Sequence, residues 1–527
     1  MMIKKFRDMI QRDILLYVVF VTGAVVLAVE VMAVRILAPY FGNTIYTFSS
    51  VLSVILAALS VGYWHGGKMA DKNHSIHAFF QIVAKAGWAV IIMQFLSTLV
   101  LVFFSATFSI VSGPIIASLI LFFYPSYLFG LLSPYVIKLR SDTYPERGIG
   151  TISGEVFFAS TIGSIVGSLL SGFVLVPIVG ITTSLFIAGG ITVCIGTIGT
   201  FLQKKENATD KEKVIAKSIF ILIIVGIIIL ILSKVTTQNI LASTFPNSEI
   251  HELRDGVYER IAVVDTNQYK DLSGRVLVLD RTFSSGVTLP EGNLLFPYTK
   301  YYRLYRAFSD NPQNVLVLGA GTGTYAKAIH EDLPNAQIDI VDVEPKLFEY
   351  ASKYFFIPIT TQITPHVADG RQFLRTTNEQ YDFVLGDMYS QMHAVPWHVS
   401  TKEYYETLYE RMSDGGVYMA NHIGGMQDEV PSLIWSSVRT PGEIFGDVAV
   451  FAVTSSETND VQNFILVARK NASLEPLEKL SLSKNKSLTE FASHLVSYDA
   501  SILEKHAVYT DNLAPLELYA ARMSANR

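Results

Sequence analysis

Seven long apolar runs occupy roughly the first 235 residues, and each is long enough to cross a lipid bilayer as a helix. A bilayer core requires about 20 consecutive, mostly apolar residues. The runs are Ile14–Ala38, Ile45–Trp64, Ile82–Phe104, Ile110–Ile137, Gly150–Val179, Ile181–Leu202 and Val214–Val235. The first run is too long for a cleaved signal peptide, and further runs follow it. The sequence therefore predicts a multi-pass α-helical transmembrane bundle of about seven helices in the cell (inner) membrane, with the lipid bilayer as a partner.

Charged residues within these runs include Glu30, Arg35 and Glu155. A charge in hydrocarbon costs about 2.5–3.5 kcal/mol or more, so such residues face a partner or water. They indicate either a transport path or a buried glutamate–arginine pair that fixes the helix register.

Small residues and prolines also mark two of the runs. The fifth run has small residues at helical spacing, which favours close packing either within the chain or between two copies, so a homo-oligomer stays open. In the fourth run, Pro114, Pro125 and Pro134 predict kinks. The small residues are Ser160, Gly163, Ser164, Gly167, Ser168 and Ser171.

Charge and cysteine content exclude several classes of protein. The net charge is −5 and no basic stripe with interleaved aromatic residues is present, so we expect no nucleic-acid partner. Cys194 is the only cysteine, which excludes an intrachain disulfide and a multi-cysteine metal site. We expect no bound metal.

Positive residues mark one side of the membrane. Lysine and arginine cluster before the first run and after the second, fourth and sixth runs. The positive-inside rule then places the N-terminus in the cytoplasm. Seven full crossings would leave the C-terminal half outside the cytoplasm.

From about Ser248 the pattern changes to alternating strands and helices, which predicts a parallel α/β sheet. Val257–Asp265 and Arg275–Asp280 predict a small β-hairpin unit before this sheet, and Leu294–Phe308 predicts a helix. We therefore expect a transmembrane domain over residues 1–236, a linker with the hairpin unit over 237–290, and a nucleotide-binding catalytic domain over 291–527.

A glycine-rich loop follows the predicted strand Asn314–Leu318, with glycines at 319, 321 and 323. Glycines let a backbone turn tightly and approach a ligand. Asp342 closes the next predicted strand, where a carboxylate can accept both ribose hydroxyls. Thr324 stands where the dinucleotide fingerprint has its last glycine, so the spacing fits an S-adenosylmethionine site better than NAD or FAD, which remain open.

Two further acids follow later strands. Asp369 lies in the segment from His366 to Leu374 and could accept a hydrogen bond from an adenine amino group. Asp387 ends the apolar strand that begins at Tyr381, and ligands of open α/β sheets bind at the carboxyl ends of the strands.

These segments resemble the spermidine synthase family, and more closely its membrane-fused bacterial branch. The resemblance rests on Val315–Asn421, Tyr509–Glu517, Gly62–Asp71 and Pro125–Leu139. It implies a Rossmann-like S-adenosylmethionine-dependent methyltransferase/spermidine synthase fold in the C-terminal half. The substrate implied is S-adenosylmethionine or its decarboxylated form, with a second small molecule as acceptor.

The resemblance also implies a role for each site residue. Asp387 would be the catalytic carboxylate, Asp342 would bind the ribose, and Asp369 would face the adenine. The loop glycines would line the sulfonium side chain. The implied nucleotide-binding glycines are Gly319, Gly321, Gly323 and Gly370.

The chain departs from the family at the acceptor and donor side chains. Thr322 replaces an acid of the family's glycine loop, and Ser390 replaces the family's second acid, which lies three residues after the catalytic one. Tyr298-Thr299-Lys300 occupies the position of the family's Tyr-Gln-Glu motif. Ser284 occupies the position of a glutamine in the family's preceding hairpin. Burying a dicationic diamine needs several such acceptors, and this sequence lacks most of them. Thr322 also removes a negative charge that would repel the carboxylate of intact S-adenosylmethionine, so the intact form becomes a plausible substrate. Substrate-side candidates are Tyr298, Thr322, Tyr389 and Ser390, and His398 either lines the acceptor side or belongs to a lid.

Four functions fit these residues. The first is displacement at the γ-carbon by an amine with release of methylthioadenosine, as in an aminopropyltransferase. The second is an S-adenosylmethionine lyase that gives methylthioadenosine and a lactone. The others are a methyltransferase, and a transporter or sensor with a nucleotide-binding domain. Ligand supply favours a cytoplasmic catalytic domain, although the loop charges suggest the opposite.

Overall fold

The computed structural model describes residues 2–73, 75–202, 248–256, 258–269, 272–280, 282–309, 311–389, 395–426, 432–456, 458 and 460–525. The chain divides into two compact units, Met1–Thr244 and Phe245–Arg527. The expected boundary after residue 236 and the seventh apolar run, Val214–Val235, lie outside the described residues.

The first unit is helical. Apolar side chains at its centre are buried, among them Met32, Ala33 and Leu37. Its helices are α1 (Met2–Phe41), α2 (Ile45–Lys72), α3 (Ile76–Thr107), α4 (Ser112–Leu121), α5 (Phe123–Gly130), α6 (Leu132–Thr143), α7 (Ile149–Leu170) and α8 (Val176–Leu202), with a π-helical turn Ser171–Leu175 joining the last two.

Four helices of the described residues are long and apolar enough to cross a membrane, or five if the bent α4–α6 segment counts as one span. The fifth and sixth predicted runs merge into one helical stretch, Ile149–Phe201. Gly180 interrupts this stretch with a φ of 79°, at the position that separated the two runs in the sequence. A bundle of seven spans is therefore not confirmed.

One bend is found in the fourth run, where the three prolines predict kinks. The chain bends by 51° between α4 and the α5–α6 segment. Pro114, Pro125 and Pro134 each occupy the third position of their helix. Proline is tolerated in a first turn because the N–H groups there have no helical acceptor, so each proline marks a helix start.

The small residues of α7 pack against α1 within the same chain. A Cβ at Gly163 would overlap the carbonyl of Phe20, and a Cβ at Gly167 would overlap the carbonyl of Ala24. Ser164 also donates a hydrogen bond to the Gly23 carbonyl at 3.1 Å. These residues serve packing within the chain, and a homo-oligomer stays an untested prediction.

Glu155 of α7 forms ion pairs with two arginines, one in α6 and one in the short turn between α6 and α7. It accepts hydrogen bonds from Arg140, at the end of α6, and from Arg147 in the turn. The Arg140 side chain is almost completely buried. Glu155 thus has arginine partners other than Arg35, and the interpretation as a buried acid–base pair accounts for it.

The second unit begins with a four-stranded antiparallel sheet, which corrects the predicted hairpin. The hairpin prediction missed the outer strands because they have few apolar residues. Val263 and Leu277 lie on the two central strands of this sheet and are buried. The order is β1 (Glu249–Asp255), β2 (Arg260–Tyr269), β3 (Leu272–Leu279) and β4 (Thr282–Thr288). The predicted helix Leu294–Phe308 is a 3₁₀ helix over Pro297–Ala307.

A seven-stranded sheet follows, in the order β10-β11-β9-β8-β5-β6-β7. Strands β5 to β9 are parallel, and β10 and β11 are antiparallel at one edge. The strands are β5 (Asn314–Leu318), β6 (Gln337–Asp342), β7 (Ile363–Val367), β8 (Tyr381–Gly386), β9 (Met412–Gly424), β10 (Val448–Ala452) and β11 (Gln462–Arg469).

Helices connect these strands and cover the sheet. The central strands are apolar on both faces, as expected when helices pack on each side. The helices are α9 (Thr324–Asp332), α10 (Pro345–Tyr354), α11 (Gly370–Thr376), α12 (Lys402–Glu410), α13 (Leu433–Phe445), α14 (Glu475–Glu478), α15 (Lys486–Thr489), α16 (Ala500–Glu504) and α17 (Leu516–Ala525).

Candidate active site

The glycine-rich loop joins β5 to α9, as the sequence predicts. Gly319, Gly321 and Gly323 all have positive φ angles, which glycine adopts without strain. A Cβ at Gly319 would also overlap the carbonyl of Asp387. Glycine at 319 therefore lets the loop lie directly against the end of β8.

Asp342 ends β6 beside this loop. One of its carboxylate oxygens accepts a hydrogen bond from the Gly321 N–H at 3.1 Å, and the other accepts from the Glu344 N–H at 3.0 Å. Burial raises the pKa of Asp342 to about 6, although these two hydrogen bonds favour the ionised form. The predicted ribose carboxylate is thus fixed against the glycine loop.

Asp369 caps the start of α11 and carries a second partner. One oxygen accepts from the Gln372 N–H, and the other lies 2.8 Å from Nε2 of His398. The contact with His398 is the main cause that lowers the pKa of Asp369. His398 therefore lies on the predicted adenine side, and an adenine amino group would share or displace it. Gly370 is buried, and a Cβ there would meet the sulfur of Met388.

A salt bridge holds the His398 segment in place. Arg371 donates to both carboxylate oxygens of Asp511 at 2.7 Å and to the carbonyl of His398 at 3.0 Å. Thr401 also donates to Asp511. Thus the Tyr509–Glu517 motif, far from the glycine loop in sequence, fixes the segment beside Asp369.

Asp387 follows β8 at the carboxyl edge of the sheet. It accepts hydrogen bonds from Asn421 at 2.8 Å and from Tyr298 at 3.4 Å. Asp387 is partly buried and keeps an intermediate exposure to solvent. Burial raises its pKa to about 7, against the effect of these two donors. Such a carboxylate can exchange a proton near neutral pH.

Three tyrosines face Asp387. Tyr298 comes from the 3₁₀ helix and Tyr389 from the segment after β8, and Tyr325 lies in the first turn of α9. Burial raises the pKa values of Tyr325 and Tyr389 well above the ordinary value, so both stay neutral. Tyr389 also donates to the Asn421 carbonyl at 3.0 Å. Among the described residues, the side chains that act on Asp387 are therefore these neutral tyrosines and the amide of Asn421.

The predicted substrate-side hydroxyls lie close to the loop. The Thr322 N–H donates to the hydroxyl of Ser285, and Tyr298 donates to the Ser284 carbonyl. The Thr322 hydroxyl is fully buried and has no hydrogen-bond partner among the described residues. Ser390 lies outside the described residues.

Asn421 and Ser285 were not singled out from the sequence. Both contact predicted site residues, Asn421 through Asp387 and Ser285 through Thr322. An asparagine in an apolar strand is a signal of a buried polar contact, but only the pairing of β8 with β9 shows which carboxylate it meets.

Three side chains of the small sheet have ligand atoms within 4.8 Å of one another: Glu249, His251 and Asp265. Arg275, however, donates to both carboxylate oxygens of Asp265, at 2.7 and 2.8 Å. Because the guanidinium already neutralises Asp265, these residues are better described as a salt-bridge network than as a metal centre.

An open, mostly parallel sheet with a glycine loop and acids at the carboxyl ends of its strands is typical of nucleotide-binding α/β domains. Residues 303–474 match the model of the spermine/spermidine synthase domain family. The C-terminal part of the chain therefore carries a spermine/spermidine synthase domain.

Individual proteins are also similar to this chain. The chain is 24% identical over 279 residues to a polyamine aminopropyltransferase of Vibrio vulnificus, a match that covers 51% of this chain and 90% of that protein. It is 29% identical over 192 residues to a probable polyamine aminopropyl transferase of Bifidobacterium longum. That match spans 36% of this chain and less than half, 42%, of the relative. A solved probable spermidine synthase from Corynebacterium glutamicum is 20% identical, with a TM-score of 0.37, over 48% of this chain and 97% of that chain.

Proposed function

We propose that this chain is a membrane-bound transferase of the aminopropyltransferase type. It transfers an aminopropyl group from a sulfonium nucleoside to an amine and releases methylthioadenosine. The observation that carries the proposal is Asp387, a partly buried carboxylate next to the glycine loop. Its pKa of about 7 suits a base for an amine. The names of the relatives support the same reaction class.

The reaction balances without any group beyond the two substrates and Asp387. The amine nitrogen attacks the γ-carbon of the donor, and a carbon–nitrogen bond forms as the carbon–sulfur bond breaks. The electron pair of that bond goes to sulfur, which leaves as the neutral thioether. The proton lost by the amine goes to Asp387, which also orients the nitrogen for attack.

The donor is held by the groups at the carboxyl edge of the sheet. Asp342 binds the ribose hydroxyls, Asp369 faces the adenine, and the glycine loop lies along the sulfonium side chain. Thr322 has a buried hydroxyl without a partner in the described part of the chain, and a bound donor would supply one. Because Thr322 is neutral, both the decarboxylated donor and intact S-adenosylmethionine fit this position.

The acceptor lies on the side of Asp387 where Tyr298 and Tyr389 stand. Aromatic faces attract the ammonium form of an amine, and one carboxylate can accept its proton. This combination suits an acceptor with a single amine at this position. The long apolar helices of the first unit anchor the enzyme in the membrane.

Product analysis by mass spectrometry tests the proposal. Detergent-purified protein is supplied with intact or decarboxylated S-adenosylmethionine, each with and without putrescine or a monoamine. We expect methylthioadenosine only when an amine is present, together with the alkylated amine. Methylthioadenosine from intact S-adenosylmethionine alone would identify a lyase, and S-adenosylhomocysteine would identify a methyltransferase. No turnover would favour a sensor or transporter.

Two variants make the assay specific to the site. Asp387→Asn removes the base and should abolish turnover while the protein still binds methylthioadenosine. Asp382→Asn is the matched control, because Asp382 lies at the opposite end of the same strand and accepts hydrogen bonds from the backbone of Gln313 and Asn314. Turnover should survive this second change.

A further inference from the structure

Three side chains form a line of hydrogen bonds across neighbouring strands at the carboxyl edge of the large sheet. Asn463 of β11 donates its amide Nδ2–H to Oδ1 of Asn421 at 2.9 Å. Asn421 of β9 in turn donates its Nδ2–H to Oδ1 of Asp387 at 2.8 Å. The line ends on the proposed base.

The strand register explains why these side chains meet. Ile465 lies opposite Asn421 in the antiparallel pair of β11 and β9, so Asn463 is the diagonal neighbour of Asn421 on the same face. Gly386 lies opposite Ala420 in the parallel pair of β8 and β9, which brings the next residue, Asp387, beside Asn421.

The orientation of the Asn421 amide decides what Asp387 meets. An amide has a donating and an accepting end, and an ionised carboxylate only accepts. If the Asn421 amide were turned over, its oxygen would face the carboxylate oxygen of Asp387. That contact would be repulsive unless Asp387 were protonated, and a protonated acid cannot accept a proton from the amine.

We propose that Asn463 is a positioning residue for the reaction: by donating to the Asn421 oxygen, it holds the amide with its N–H toward Asp387. Asn463 itself does not contact Asp387 in this arrangement. The inference rests on the proposed role of Asp387 as a base, and it assigns a function to β11, the antiparallel strand beside β9.

The other titratable groups around Asp387 do not set its protonation state in place of the Asn421 amide. Tyr298, Tyr325 and Tyr389 face the carboxylate, and Tyr325 and Tyr389 stay neutral because burial raises their pKa values. His422, next to Asn421 on β9, also stays neutral near pH 7, since burial lowers its pKa to about 4.

The test is the pH dependence of kcat/KM for full-length protein carrying Asn463→Leu. Leucine removes the donor without adding a charge. We expect the acid limb of the profile to move upward by about 0.5–1 pH unit, since a hydrogen bond that favours the ionised form is lost. Asn463→Asp, which can only accept when ionised, should move the limb further. The KM for the donor should change less than about twofold, because a shift in the pKa of Asp387 leaves the groups that contact the donor in place.

Gln462→Ala is the matched control on the same strand. The Gln462 side chain bonds the backbone of Thr454 and Ser455 and is not part of the line to Asp387. This variant should lose some thermal stability and keep the acid limb in place. A folded Asn463→Leu protein with an unshifted limb overturns the proposal, whatever Asn463→Asp does, because the aspartate also adds charge.

A second readout does not depend on turnover. The infrared carboxylic-acid band of Asp387 can be identified by its absence in Asp387→Asn and titrated in each variant. An upward shift of this titration in Asn463→Leu supports the proposal even if the wild type transfers no group, a result that would reject the proposed function alone. An unchanged titration rejects the role of Asn463.

Discussion

As the proposed base, Asp387 would connect pH to catalysis and to stability with opposite signs. Its pKa of about 7 in the folded protein lies above the ordinary aspartate value of 3.8. The folded state therefore binds more protons than the unfolded state between these values, and the contribution to stability falls as pH rises through this window. The carboxylate form needed for proton transfer is gained over the upper part of the same window.

For stability, Asp387→Asn should make the protein more stable than the wild type at pH 8. The gain should be on the order of 2–4 kcal/mol, from a shift of about three pKa units. The difference should shrink as pH falls from 7 toward 5, because the wild-type carboxyl becomes neutral. Thermal unfolding in detergent across this range measures it. A difference that does not vary with pH would contradict the raised pKa.

Asp342 provides a second prediction for a single residue. Asp342→Asn should raise the KM for the sulfonium donor at least about tenfold, because charge-assisted hydrogen bonds to the ribose contribute roughly 1.5–3 kcal/mol each. The kcat should change less. Asp339→Asn is the control, since Asp339 on the same strand bonds His366 and Tyr381 instead. Equal effects of both substitutions would argue against a ribose contact.

At the level of elements, the glycine loop depends on close contact as much as on φ. Gly319→Ala introduces both backbone strain and an overlap with the Asp387 carbonyl. We expect it to weaken donor binding at least about tenfold and to cost about 1–3 kcal/mol of stability. Gly446→Ala has a similar φ, 84°, and open space around the new Cβ. It should lose stability only, as measured by thermal unfolding and methylthioadenosine binding.

The packing of α1 on α7 gives a prediction for the helical unit. Gly163→Ala should destabilise it by about 1–3 kcal/mol, because the new methyl overlaps the Phe20 carbonyl and the helices must separate. Gly154→Ala on the same helix meets nothing within 4 Å and should not destabilise. Thermal unfolding in detergent compares the two, and equal melting temperatures would place the helix contact elsewhere.

Strands, loops and helices could be predicted from the sequence where a short local pattern is enough to identify them. The apolar run into three loop glycines predicts β5, the loop and α9, and the acid that closes the next strand predicts Asp342. Asn421, Asn463 and the Asp369–His398 contact could not be predicted, because they depend on strand register and on a distant salt bridge. The outer strands of the small sheet were missed because polar edge strands have no apolar pattern.

At the scale of the whole molecule, the side of the membrane that holds the second unit is a prediction open to test. We expect the cytoplasm, where the donor nucleoside is available. Cys194→Ala leaves a chain without cysteine, and Thr361→Cys adds one at an exposed position. A membrane-impermeant maleimide should label this cysteine only after cells are permeabilised. Labelling of intact cells would place the unit outside and would favour the seven-crossing count.

The Arg371–Asp511 salt bridge also has a consequence in time. The two residues are separated by 140 positions, and a ribosome makes Arg371 first. The helices of the first unit, the glycine loop and the strands from β5 to β11 are all synthesised before Asp511 exists. The segment that carries His398 can therefore be fixed beside Asp369 only late in synthesis. With the membrane anchoring and the nucleoside site that we propose, the nascent protein would reach the membrane well before it could hold a nucleoside firmly. Its chemistry would then be delayed until the chain is in place.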